Sequence, residues 1–219
     1  MADEARVVHV MRHGQVENPD GVLYGRIPGF GLSELGRRMA EEMSEFWADV
    51  PLTHLRCSPL QRARETLEPT AALFPHLDVV TDERVIEAEN QFEGMVFGKD
   101  NRALRDPRML RHVLNPLRPS WGEAYVDIAA RMRAAIIDAA AAAGHGGQAL
   151  VVSHQLPIEI ARREAQGHRL AHHPGRRRCT LTSVTSFTLR GDRVTGVDYR
   201  EPVAHLLPPK HGRRFRVGT

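Results

Sequence analysis

The sequence predicts an α/β fold: a three-layer sandwich whose mostly parallel central sheet is flanked by helices, with an antiparallel hairpin near the C-terminus. Three observations carry that expectation. Short apolar runs alternate with stretches whose apolar residues recur every three or four positions. Two of the runs, residues 6–11 and 148–153, are apolar almost throughout, as buried strands are. Two strand-like segments flank Arg190-Gly191-Asp192-Arg193, which reads as a hairpin turn.

Taken in order, residues 6–11 are the first strand. Residues 15–32 are rich in glycine and proline and form a long loop, a length that is usually functional or disordered. From Ser33 the chain turns helical, with Leu35, Met39, Met43, Phe46 and Trp47 on one stripe. Thr53–Cys57 is a short strand. Ser58 reads as the N-cap of the next helix, with Pro59 in its first position and Gln61 closing a capping box. Pro69 is expected to kink or end that helix. Val79–Thr81 is strand-like, and residues 88–120, broken by Pro107, Pro116 and Pro119, are an insertion. A long helix covers Gly122–Ala143 and closes at Gly144. The strand Gln148–Ser153 ends at His154, and a helix follows to about Gln166. Thr180–Leu189 and Val194–Tyr199 make the hairpin. Residues 1–200 thus form a single domain, and 201–219, with Pro202, Pro208 and Pro209, a flexible tail.

The chain has 219 residues, enough for one sizeable core. Apolar content of 42% and charged content of 26% are those of a globular chain and argue against disorder. No apolar run approaches the roughly 18 residues of a membrane span, so no membrane partner is expected. The acidic start, Ala2-Asp3-Glu4, does not read as a signal peptide. Cys57 and Cys179 are too few and too distant for a disulfide framework or a zinc motif, and are expected to be thiols in a cytoplasmic protein. Residues 162–219 hold 13 Arg or Lys against 4 Asp or Glu, a balance suited to a solvated face or to an anionic partner. No aromatic-interleaved basic motif accompanies them, so no nucleic-acid partner is expected. His172-His173 and Arg176-Arg177-Arg178 form a basic loop without metal-ligand spacing. Arg102, Arg105, Arg108 and Arg111 recur every three residues in the insertion and read as a solvated helical face, or as contacts to a second anionic group of a substrate.

Three clusters hold the chemistry: Arg12-His13-Gly14, Ser58 to Thr66 with Arg62, and Val152-Ser153-His154. Two guanidiniums match phosphate oxygens in a bidentate way. Arg62 lies in the first turn of its helix, where free amides and the dipole favour an anion. A neutral imidazole is a good nucleophile, and neighbouring cations keep it unprotonated. Gly14 allows close approach of backbone to ligand. His13 and His154 both follow strands at the carboxyl edge, where such sheets bind ligands.

With "RHG" after the first strand, "LSELGRRMAEE" in the first helix, "SPLQRARET" at the second and "VVSH" near residue 154, the sequence resembles the histidine phosphatase superfamily, the phosphoglycerate mutase-like proteins. The resemblance covers roughly residues 6–165. It implies that His13 attacks phosphorus to form a phosphohistidine, while Arg12, Arg62 and His154 bind the phosphoryl group and stabilise its charge. It implies a carboxylic acid that protonates the leaving oxygen and then activates water. Glu87 is expected in that role, and Glu89 is its rival, because the interval to Glu93-Gly94 is one residue shorter than the common family pattern. Expected substrate contacts are Arg12, Arg62, His154, Asn18 and Gln155, with Tyr24 and Arg26 from the long loop. No metal and no cofactor are required by this scheme.

The sequence departs from the family pattern at Val16, at Asn18 (one place early), at Gly29-Phe30-Gly31 and at Gln155-Leu156-Pro157. These departures leave Arg12, His13, Arg62 and His154 intact and bear on the leaving-group pocket. The function implied is a metal-independent phosphatase acting on a small phosphorylated substrate, a phosphomonoester. A phosphoglycerate mutase-type phosphotransferase and a non-catalytic binding protein on the same fold are the alternatives. A homodimer is left open.

Overall fold

The computed structural model describes residues 5–96 and 122–207. Six strands form one sheet: β1 (Arg6–Arg12), β2 (Leu52–Cys57), β3 (Val79–Thr81), β4 (Gln148–Ser153), β5 (Val184–Arg190) and β6 (Arg193–Arg200). Their order is β3-β2-β4-β1-β5-β6. The first four are parallel, and β5 and β6 are antiparallel. Four longer helices are described: α1 (Glu34–Trp47), α2 (Gln61–Leu73), α3 (Tyr125–Ala143) and α4 (Gln155–Ala165).

The alternation of side chains along the central strands makes the layers. Val8, Val10, Ala149 and Val151 point to α3 and α4, in a core with Ile128, Met132, Ile136 and Ile158. Met11, Leu150 and Val152 point the other way, to Met43, Trp47, Ala63 and Leu67 of α1 and α2. Both faces are covered, which is why these strands read as apolar runs.

Several expectations change in detail. The second helix starts at Gln61 with Leu60 as an N-cap that makes no side-chain cap bond, so Ser58 does not cap it. The helix also runs through Pro69 to Leu73. Proline removes one hydrogen bond there, and the packing of Ala63 and Leu67 holds the helix together. The long helix begins at Tyr125, three residues later than Gly122. The hairpin strand begins at Val184, because Thr180 to Ser183 form a turn with Thr182 at φ 52°. Residues 201–207 do not trail: Val203 is buried in the core with Trp47, ahead of the short turn Ala204–Leu206. Residues 97–120 of the insertion, with Arg102, Arg105, Arg108 and Arg111, and 208–219 of the tail lie outside the described residues.

β4 lies between β2 and β1, so three parallel strands end side by side. Arg12 pairs with Ser153, and Cys57 with Val152. The residues that follow, His13, His154 and Ser58, leave one edge of the sheet together. Gly14 settles against the first turn of α1. A Cβ on Gly14 would stand 2.7 Å from the Gly36 carbonyl oxygen, and one on Gly36 2.0 Å from that of Gln15. Glycine at position 14 is thus required by this backbone contact as well.

Candidate active site

The strand ends deliver two imidazoles into one place. The rings of His13 and His154 lie with centroids 5.1 Å apart, and both side chains are buried. Nδ1 of His13 stands 2.7 Å from the Gly14 carbonyl oxygen. A carbonyl can only accept, so Nδ1 carries the proton and Nε2 keeps its lone pair. Nε2 in turn accepts from Nε of Arg62 at 3.3 Å. Burial, first, and then the charges of Arg62 and Arg12 hold the His13 pKa well below its ordinary 6.5. The ring is therefore neutral at neutral pH, with the Nε2 electron pair directed at the Arg62 guanidinium.

Arg62 is fixed on three sides. Its Nη2 donates to the Gly25 carbonyl at 2.7 Å, and its guanidinium lies 4.7 Å from the centroid of Tyr24. Tyr24 is itself stacked on Phe30 at 5.1 Å. Arg12 donates through Nη1 to the Cys179 carbonyl at 2.8 Å. The hydroxyl of Thr66 accepts from the Gly14 amide at 3.0 Å and donates to the Arg62 carbonyl at 2.6 Å, tying the first strand's exit to α2.

His154 has a partner that sequence reasoning missed. Its Nε2 is 2.7 Å from Ser58 Oγ, and its Nδ1 is buried without a hydrogen bond among the described residues. When the Ser58 hydroxyl donates to Nε2, the proton sits on Nδ1 and is available to an anion. The pKa of His154 is lowered well below 6.5 by burial, then by Arg62, His13 and Arg12. The local S-P-L-Q pattern pointed to a helix cap. The signal that could have found Ser58 is its place after β2, matching those of His13 and His154 after β1 and β4.

The two carboxylate candidates part company. Glu89 has a side chain 69% exposed and pairs with Arg26 at 2.9 Å. Glu87 is half-buried, and its charge acts on Arg62, Tyr24 and Arg177. The chain that carries Glu87 is held by four consecutive carbonyls. Arg131 Nη1 donates to those of Arg84 (2.6 Å) and Ile86 (2.8 Å), Ser153 Oγ to Val85 (2.7 Å), and Arg26 Nε to Glu87 (2.7 Å). Glu123 binds both arginines, Arg131 at 2.6 Å and Arg26 at 3.1 Å.

Two of the expected substrate contacts, Arg26 and Asn18, have protein partners in the structure. The Arg26 guanidinium is occupied by Glu87, Glu89 and Glu123, so it shapes the acidic loop. The Asn18 amide closes its own turn, donating to the Val22 carbonyl at 2.9 Å and accepting from the Val22 amide at 3.0 Å. Gln155 does lie at the site: its Nε2 is 3.4 Å from the Cys179 carbonyl that also binds Arg12. The helices α2 and α4 both begin here, at Gln61 and Gln155, and direct their positive ends to the cluster. Among the described residues, no three His, Cys, Asp or Glu side chains are grouped to hold a metal ion, and no helix is long and apolar enough to cross a membrane.

The arrangement is a neutral nucleophilic nitrogen among guanidiniums, with a carboxyl group nearby, which is what transfer of a phosphoryl group requires. Comparison with known proteins agrees. The family model described as histidine phosphatase superfamily (branch 1) matches residues 8–202. The uncharacterized protein Rv0525 of Mycobacterium tuberculosis is 49% identical over 201 residues, 92% of this chain and 98% of that protein. The mycobacterial glucosyl-3-phosphoglycerate phosphatase superposes with a TM-score of 0.71 at 23% identity, over 90% of this chain and 96% of the other. The phosphoserine phosphatase of Entamoeba histolytica, solved with 3-phosphoglyceric acid, gives 0.72 at 18% identity, over 92% and 100%. At these identities the likeness to the solved structures is one of fold.

Proposed function

The chain belongs to the histidine phosphatase superfamily, branch 1, and on that premise we propose that it hydrolyses a small phosphomonoester through a phosphohistidine on His13. The observation that carries this reading is the pair of contacts on one ring. Nδ1 is held protonated by the Gly14 carbonyl, and Nε2 is left facing Arg62.

In the first step the Nε2 lone pair attacks phosphorus and the ester P–O bond breaks. Glu87, protonated, gives its proton to the departing oxygen. The positive charge on the phosphorylated ring rests against the Gly14 carbonyl, while Arg12, Arg62 and the Nδ1–H of His154 take the three phosphoryl oxygens. In the second step Glu87 accepts a proton from water, whose oxygen attacks phosphorus. The P–N bond breaks, the electron pair returns to Nε2, and phosphate leaves. Apart from the attacking water, the groups used in both steps belong to this protein, and the two free, buried cysteines suit the cytoplasm.

The test is phosphate release from 4-nitrophenyl phosphate in the presence of EDTA. Activity that survives the chelator is expected. Activity that vanishes with EDTA and returns with a divalent cation excludes the metal-free scheme. Appearance of the phosphoryl group on an added alcohol acceptor, with none released to water, moves the assignment to a phosphotransferase.

Ser58→Ala removes the partner of His154 Nε2 and leaves the tautomer of that ring undetermined. One charge-assisted contact is lost in the transition state, so kcat/KM is expected to fall about 10- to 100-fold. Steady-state kinetics, with circular dichroism to verify the fold, check it; an unchanged kcat/KM removes Ser58 from the mechanism.

A further inference from the structure

Arg176, Arg177 and Arg178 follow one another in the basic loop but have three different surroundings. Arg176 is exposed. Arg178 lies over the ring of Tyr199 at 5.0 Å, while its amide donates to the buried Glu159 carboxylate at 3.2 Å. Arg177 turns inward. Its Nε donates to Nε2 of His172 at 3.0 Å, and its Nη1 to Oε1 of Gln155 at 3.2 Å. His172 is itself fixed, with Nδ1 2.6 Å from the Leu170 carbonyl and its ring 5.6 Å from that of Tyr125. Because Nδ1 must donate to that carbonyl, Nε2 can accept, and the neutral imidazole orients Arg177 without neutralising it.

The remaining nitrogen of Arg177, Nη2, makes no hydrogen bond among the described residues. Glu159 does not serve it by contact; that carboxylate is taken up by Arg162 at 2.7 Å and Arg163 at 3.4 Å. Yet Arg177 is within the electrostatic reach of Glu87, Tyr125 and Arg12. A half-buried guanidinium is thus anchored on two nitrogens, and its anchor Gln155 reaches the Cys179 carbonyl that holds Arg12, which ties it to the edge of the phosphoryl site. On the proposed mechanism the alcohol portion of the substrate lies on the side of Glu87, whose charge acts on Arg177.

We infer that Arg177, oriented by His172 and Gln155, binds a carboxylate on the alcohol portion of the substrate. The inference rests on the phosphatase reading and specifies its substrate class as carboxylate-bearing phosphomonoesters. Charge favours a carboxylate over a second phosphate. With Glu87 protonated for the first step, the charges of Arg12 and Arg62 match a phosphoryl dianion. Arg177 then balances one further negative charge, and a second dianion exceeds what the site offers. The planar fork suits carboxylate oxygens, and the Tyr125 side chain borders the same space.

The experiment compares esters that differ by the carboxylate alone. Glycerol 3-phosphate carries a hydroxymethyl group where 3-phosphoglycerate carries a carboxylate, and phenyl phosphate against 4-carboxyphenyl phosphate extends the reach. In wild type, kcat/KM is expected to favour the carboxylate member of at least one pair on the order of 10- to 100-fold, the effect of a charge-assisted contact. Arg177→Gln should bring that ratio to about one, and Arg177→Lys, which keeps charge without the fork, should retain part of it. Ratios near one for both pairs in wild type overturn the inference. So does a preference that Arg177→Gln leaves intact, or an equal loss on both members of each pair, which would assign Arg177 to the phosphoryl group. 4-Nitrophenyl phosphate separates the two claims. If wild type hydrolyses none of the five esters, the phosphatase reading fails and calorimetric binding of the same pairs decides the inference. Tighter binding of a carboxylate member, lost in Arg177→Gln, sustains it, and equal binding ends it.

Discussion

Replacing His13 with alanine is expected to abolish phosphate release and covalent labelling together. Nucleophile removal in covalent catalysis costs on the order of 10³-fold or more, and no other nitrogen of the site has the same standing. His154 Nε2 is occupied by Ser58 at 2.7 Å, and its Nδ1 serves best as a donor. Acid-labile phosphoenzyme in wild type, absent from His13→Ala, is the expected pair of results. Label that persists in the variant would falsify the assignment and point to His154.

The same substitution has a consequence for stability. The His13 pKa is lowered in the folded state, so below about pH 6.5 the unfolded chain binds a proton that the folded chain does not. Stability therefore rises with pH through that range and is lost as pH falls below it. The buried His154 acts in the same direction. Urea unfolding from pH 7 down to about pH 5 should show a shallower acid-induced loss in His13→Ala than in wild type. An identical slope would mean that His13 protonates freely in the folded protein.

The second large effect is expected at Glu87. Glu87→Gln cannot donate a proton to the leaving oxygen. Turnover should fall about 10²- to 10⁴-fold on alkyl phosphates, whose leaving groups need that proton, and much less on 4-nitrophenyl phosphate, whose leaving group does not. Glu89→Gln should change kcat/KM little, because a pair whose carboxylate side chain is 69% exposed contributes little to holding the loop. A crippled Glu89→Gln beside a normal Glu87→Gln moves the acid two residues along the chain. Equal losses on both classes of ester would instead make Glu87 a charge that supports Arg62.

These expectations draw on different depths of information. The stripe of Leu35, Met39, Met43 and Trp47 was legible because a helix repeats its core face every three to four residues. Val8, Val10, Val151 and Val152 were legible because strands covered on both faces are apolar on both. His13 and His154 stood out as polar groups ending such strands. Ser58 was misread because a local cap pattern and a long-range partner, 96 residues away in sequence, competed for the same hydroxyl. Pro69 does not end its helix, because the packing of that helix outweighs one missing hydrogen bond.

By itself the sequence determined the alternation of strands and helices, the two imidazoles at strand ends, and the two guanidiniums that accompany them. Each of these is written in residue type and short-range spacing. Only the tertiary structure decided that Glu89 is exposed and pairs with Arg26 while Glu87 is half-buried, that Ser58 meets His154, and that Arg177 meets Gln155 while Asn18 closes its own turn. Those outcomes rest on hydrogen bonds and charges between segments far apart in the chain, such as Arg26 with Glu87 and Arg177 with Gln155. A side chain's partner is set by which segments the sheet order brings together, and no local pattern encodes that meeting.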